Sequence, residues 1–193
     1  MRGRTVIAGL LGGLVLLACT FVVNGLLGFN ARFAIKQLSA EREVYEVLRN
    51  AVTEPGRYLC NPALTPEGRF PDNEPVFGVQ YAGIGHEAAG LEAGVGLLIF
   101  LAGPLIGAWL LALTAERFRA RFLNRVVFFV AIGLLLALTG DLKGFGIGAS
   151  PLSMALLFAA RTVATWAVVG LAIAAVVRPA PVVAAAAERA ARA

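Results

Sequence analysis

Four long apolar runs divide the polar positions of this chain into two short clusters, one long segment and a tail. The runs cover residues 5–28, 91–114, 122–140 and 152–177. A helix needs about 20 apolar residues, within a range of about 17 to 25, to cross a hydrocarbon core of roughly 30 Å. Each run therefore predicts a transmembrane helix. The third is the shortest because Arg125 interrupts its start, and snorkelling of that side chain to the headgroups, or local thinning of the bilayer, would cover the difference. Gly9 and Gly13 in the first run have the spacing of a small-residue contact face, where a second helix can approach closely. Gly103-Pro104 near the middle of the second predicts a kink, with the carbonyl that loses its donor covered by a neighbouring helix. The fold class expected is an all-α membrane protein: four transmembrane helices, a mostly irregular extracytoplasmic loop domain at 29–90, and a cytoplasmic tail at 178–193.

The polar segment 38–92 reads differently. After the first run the helix is expected to continue out of the membrane through residues 30–37, with Arg32 and Lys36 at headgroup level. Ser39 then suits the N-cap of a new helix. Val44, Val47, Leu48 and Ala51 follow at i, i+3, i+4 and i+7, so one face of that helix is apolar. Glu54-Pro55-Gly56 ends it, since proline restricts the residue before it and glycine allows a left-handed turn. Gly56 is expected at positive φ, with the Tyr58 ring packed under the helix. Pro62, Pro66, Pro71 and Pro75 recur beyond it, and residues 76–81 are the one stretch that suggests a strand.

Composition makes the membrane reading firm. Of 193 residues 59% are hydrophobic and 15% charged, and the mean hydropathy is +0.78, well outside the soluble range. A net charge of +5 would suggest nucleic acid as a partner in a soluble protein. Here the basic residues are distributed by loop, so none is expected. Arg2 and Arg4 precede the first run, Arg117, Arg119, Arg121 and Arg125 lie between the second and third, and Arg178, Arg189 and Arg192 follow the fourth. With four spans all three groups share a side, which the positive-inside rule makes cytoplasmic. The polar segment, with nine of the twelve acidic residues, is then outside. Leu16-Leu17-Ala18-Cys19 passes as a lipoprotein cleavage box with Cys19 as the lipidated residue. Residues 20–27 stay apolar where a mature lipoprotein would turn polar, which favours an uncleaved helix.

The run 44–52, then Glu54-Pro55-Gly56-Arg57-Tyr58 and Pro62, followed by three spans, resembles a group of uncharacterised four-helix bacterial inner-membrane proteins with an E-P-G-x-Y turn in the first outer loop. Members often carry Phe-Pro-Gly after the tyrosine, where this chain has Leu59-Cys60-Asn61-Pro62. The resemblance implies fold and topology and brings no activity with it.

Candidate chemistry is sparse. His86 and Glu87 start no zinc motif, because a second histidine one turn on is needed and position 90 is glycine. Cys60 and His86 could form a nucleophile and base only if the fold brought them together. Arg161 is the stronger signal. It lies some ten residues into the fourth run, where an ionised group costs on the order of 3 kcal/mol. It is expected to face the bundle and find a partner, with Asp141 first, then Glu92 and Asn24; Thr162, Thr165 and Trp166 add polar atoms nearby. A structural ion pair, a substrate or proton pathway, and a span shifted so that Arg161 nears the surface are the three readings.

The function expected is a non-catalytic accessory or scaffold subunit of a bacterial envelope complex, seated in the inner membrane with both termini cytoplasmic. Its partners would be the lipid bilayer and a protein, either a different subunit or a second copy. No catalytic, cofactor or metal-binding residues are assigned. A small transporter or channel using Arg161 is the alternative, and a membrane-embedded enzyme the third.

Overall fold

The computed structural model describes residues 2–33, 36–61, 75–83, 85–146 and 150–177, and of residues 2, 85–89 and 92 the backbone only. The tail from Arg178 onward, Pro62, Pro66 and Pro71, and the side chains of Arg2, His86, Glu87 and Glu92 lie outside that description. Among the described residues four helices are long and apolar enough to cross a membrane: Gly3–Leu26, Ala93–Leu113, Phe122–Gly144 and Leu152–Val176. This is the architecture of a multi-pass membrane protein. Lipid offers no hydrogen bonds, so each span must satisfy its backbone internally, and the helix does so along its whole length.

Helix α1 (Arg2–Thr20) packs on α4 (Gly85–Leu113) and on α7 (Leu152–Val176), while α6 (Phe122–Leu136) packs mainly on α7. Glycines set these distances. A β-carbon placed on Gly9 would fall 2.8 Å from Leu105 Cα, and one on Gly12 would fall 2.6 Å from Ile173 Cδ1. Pro104 lies inside α4 and has no N–H to give the carbonyl one turn back, that of Phe100. A β-carbon on Gly13 would come within 3.0 Å of that oxygen, so α1 covers the freed carbonyl at the contact face read from Gly9 and Gly13. On the other side the Phe129 ring is wedged between Gly107 of α4 and Gly170 of α7 and stacks on Trp166, at 6.4 Å between centroids. Ala8, Ala108, Leu111, Val169 and Ile173 complete this core at 0% exposure.

Arg125 does not snorkel. It is 5% exposed, its Nε donates to the Ala174 carbonyl at 3.1 Å, and its Nη1 donates to the carbonyl of Arg119. Both acceptors sit in the last turns of helices, α7 and the short α5 (Glu116–Ala120). Those carbonyls have no partner within their own helix and carry the negative end of its dipole.

The polar segment contains more regular structure than its prolines suggest. Helix α3 (Glu41–Ala51) forms where the apolar stripe places it, although it begins one residue later than a Ser39 cap requires and Ala40 stands at the N-cap without a side-chain bond. Strand β1 (Gly56–Cys60) pairs antiparallel with β2 (Phe77–Tyr81), with Gly56 opposite Tyr81 and Cys60 opposite Phe77. β2 falls in the stretch read as a strand, and β1 replaces the expected turn. Gly56 is consequently extended and is not among the glycines of positive φ, which are Gly28, Gly83 and Gly146. The Tyr58 hydroxyl donates to the Glu54 carbonyl at 2.6 Å, so the ring folds back over Gly56 and closes the Glu54-Pro55 bend from its own strand. Gly83, at φ +97° beside Pro55, supplies the left-handed residue.

Candidate functional site

The polar site of the bundle is built around Arg161, and its walls come from three departures from a simple helix. Residues Phe21–Leu26 at the end of the first span form a π-helical turn, in which Leu27 donates to the Val22 carbonyl five residues back at 2.9 Å. Such a turn widens the helix and redirects its side chains; here it carries Asn24. Gly28, at φ +60°, then breaks the helix, so the span does not continue straight out through residues 30–37 as its sequence suggests. A short helix α2 (Phe29–Phe33) restarts with Arg32 N–H donating to the Gly28 carbonyl at 3.0 Å. That fold-back lays Phe29 and Asn30 over α7.

The Arg161 guanidinium is held by two amide oxygens and two aromatic rings. Its Nη1 donates to Asn24 Oδ1 at 3.5 Å and to Asn30 Oδ1 at 3.4 Å. Its Cζ lies 4.9 Å from the centroid of the Phe158 ring and 5.3 Å from that of Phe29, within the range of a cation–π contact. The two rings meet edge to face at 5.5 Å, so together they form one aromatic corner against which the guanidinium rests. The side chain thus rises from the tenth residue of α7 to the level at which the first span ends.

Asp141 does not supply the counter-charge. It sits in a second π-helical turn, Ala137–Asp141, at the end of the third span. The geometry of α7 explains why. Val163 and Gly170 face α6, against Gly133 and Phe129. Nine residues at about 100° each place Gly170 on the opposite side of the helix from Arg161. A carboxylate at the end of α6 therefore approaches the wrong face. Of the sequence candidates the structure brings Asn24 to the arginine; the side chain of Glu92 lies outside the described residues.

A cavity of about 230 Å³ continues from the guanidinium between α1 and α7. Thr20 and Cys19 of α1 face Thr162, Thr165 and Trp166 of α7 across it, and Phe100 of α4 closes its far wall. Elsewhere the candidate residues stay apart. Cys60 is an exposed free thiol on β1 and Cys19 a half-buried free thiol on the cavity wall. Among the described residues no three His, Cys, Asp or Glu side chains group closely enough to hold a metal ion.

The chain matches no protein family, no curated protein and no solved structure.

Sequence reasoning overlooked Phe29, Asn30 and Phe158. Phe158 was legible, since it precedes Arg161 by one helical turn and an aromatic at that spacing lies on the same face. Phe29 and Asn30 reach the site only because Gly28 turns the chain back, and nothing in their local sequence carries that signal.

Proposed function

We propose that this chain is a non-catalytic subunit of a bacterial envelope complex, seated in the inner membrane with both termini cytoplasmic and the segment from α3 to β2 on the outer side. The observation that carries this reading is the apolar face of α3. On it Val44 and Val47 are 37% and 66% exposed, although this segment belongs to the polar part of the chain. A groove between α3 and β2, lined by Tyr45, Leu48, Val52, Val79 and Tyr81, adjoins that face. Covering side chains of this size is worth about 1.5–3 kcal/mol each, enough for two or three of them to anchor a protein contact. The resemblance read from the Glu54-Pro55-Gly56-Arg57-Tyr58 turn points to the same class of membrane and the same orientation.

The experiment is co-purification from gently solubilised membranes, comparing the native chain with a Val44→Glu, Val47→Glu variant of unchanged thermal stability. A defined partner, or a second copy, that stays with the native chain and is lost from the variant supports the proposal. Equal retention by both chains refutes it.

A small transporter or channel is the alternative, favoured by the cavity beside Arg161. A conducting path would have to pass the half of the bundle where Gly12 meets Ile173 and Gly13 covers Phe100, and that half is closed by apolar contacts. A membrane-embedded enzyme comes third. It would need Cys60 to meet His86 and carboxylates, and Cys60 stands on β1 opposite Phe77.

A further inference from the structure

Among the described residues the groups that hold Arg161 are all neutral. Two amide oxygens and two aromatic faces surround the guanidinium, and among the described residues no carboxylate bonds to it. A guanidinium has five N–H donors, arranged as forks that match the oxygens of a phosphate or carboxylate. Only Nη1 donates in the described bonds, and both of those are long, at 3.4 and 3.5 Å. The fork formed by Nε and Nη2 is left for another acceptor.

The level of the site says which acceptor. Asn24 lies in the last turn of the first span, Gly3–Leu26, and Asn30 just past its end, so the guanidinium reaches the level at which the first apolar run ends and headgroups are expected. Phosphate is the anion a bilayer presents at that depth. Beneath it the cavity runs down α1 from Asn24 to Leu16, about 12 Å at about 1.5 Å per residue. The cleft is thus cationic at its mouth and elongated below it.

We propose that Arg161, Asn24 and Asn30 form a binding site for a phosphate group, with the cleft between α1 and α7 receiving what is attached to it. The phosphate has two sources, a phospholipid headgroup with a chain in the cleft, or a water-soluble phosphate compound. Phe29 and Phe158 pack against the guanidinium with their faces, and neither ring competes with an anion for its N–H donors. The site stands independently of the scaffold reading, because it involves none of the α3 residues.

The test uses the full chain in dodecyl maltoside without phosphate. Native mass spectrometry with added phosphatidylglycerol reads the lipid source, and thermal stabilisation by inorganic phosphate reads the soluble one. Arg161→Gln removes the cation. Asn30→Asp keeps the arginine and places a carboxylate beside it, so it should displace an anion even if the first variant fails to fold. Loss of a charge-assisted contact predicts about tenfold weaker binding in each variant. Arginine-dependent binding of phosphatidylglycerol alone assigns the site to lipid, and arginine-dependent stabilisation by inorganic phosphate assigns it to a solute. Binding that is equal in native chain and Asn30→Asp, or no binding of either probe, overturns the proposal.

Discussion

The identity of the groups that stabilise Arg161 can be measured by double-mutant cycles. The structure ranks Phe158 first, at 4.9 Å from the guanidinium carbon, and gives Asp141 no direct part. The perturbations are Arg161→Met, which keeps the stem and removes the charge, and Phe158→Leu, which keeps an apolar side chain and removes the ring. A cation–π contact is worth about 0.5–1 kcal/mol when exposed and about 2 or more when desolvated. Arg161 is half-buried, so a coupling energy of about 1 kcal/mol is expected. The same cycle with Asp141→Asn should be additive within about 0.5 kcal/mol, the range for sites that share no contact. Thermal unfolding in detergent reads these values, since about 1 kcal/mol moves the midpoint of a chain this size by roughly 2–4 °C. If Arg161 couples to Asp141 more strongly than to Phe158, the guanidinium is held by a carboxylate and the cradle described above is wrong.

Four further outcomes follow from other parts of the fold. Arg125→Leu should lower stability by about 2–4 kcal/mol, because two charge-assisted bonds are lost and the Ala174 and Arg119 carbonyls are left without them; an unchanged unfolding midpoint would show that they find other donors. Gly83→Ala should loosen the outer segment by about 1 kcal/mol or more, since φ there is +97°. Gly56→Ala should be neutral or slightly stabilising, because its β-carbon would meet the Tyr58 ring at an ordinary 3.6 Å. Limited proteolysis of the two glycine variants compares them, and equal sensitivity would refute the assignment. Finally, a membrane-impermeant thiol reagent should modify the exposed Cys60 in intact spheroplasts; reaction only after the membrane is opened would reverse the proposed orientation.

What the sequence determined by itself is the part governed by composition and local spacing. Four spans follow from the length of apolar runs against the thickness of a bilayer, and the ends observed, such as Leu26 and Val176, lie within a few residues of those read from the chain. Helix α3 follows from a period of about 3.6 residues, and the close approach of α1 to α4 from the spacing of Gly9 and Gly13. These are one-dimensional properties, since burial in lipid and the turn of a helix act on each segment separately.

Tertiary structure decided the rest. β1 is a strand because β2, far along the chain, offers it a ladder of partners, and five residues starting with glycine carry little strand signal alone. Arg125 turns inward because two helix ends with unpaired carbonyls meet there, and no local pattern records that meeting. At Arg161 the sequence showed that a cation needed company, while the choice of company depended on rotation about α7. The face that carries Arg161 looks toward α1, and the face that meets α6 lies opposite. Asp141, one short turn away in sequence, is therefore excluded, and Asn30, 131 residues away, is brought in by the break at Gly28. Which groups meet is set by helix rotation and by one glycine, and both are consequences of packing in three dimensions.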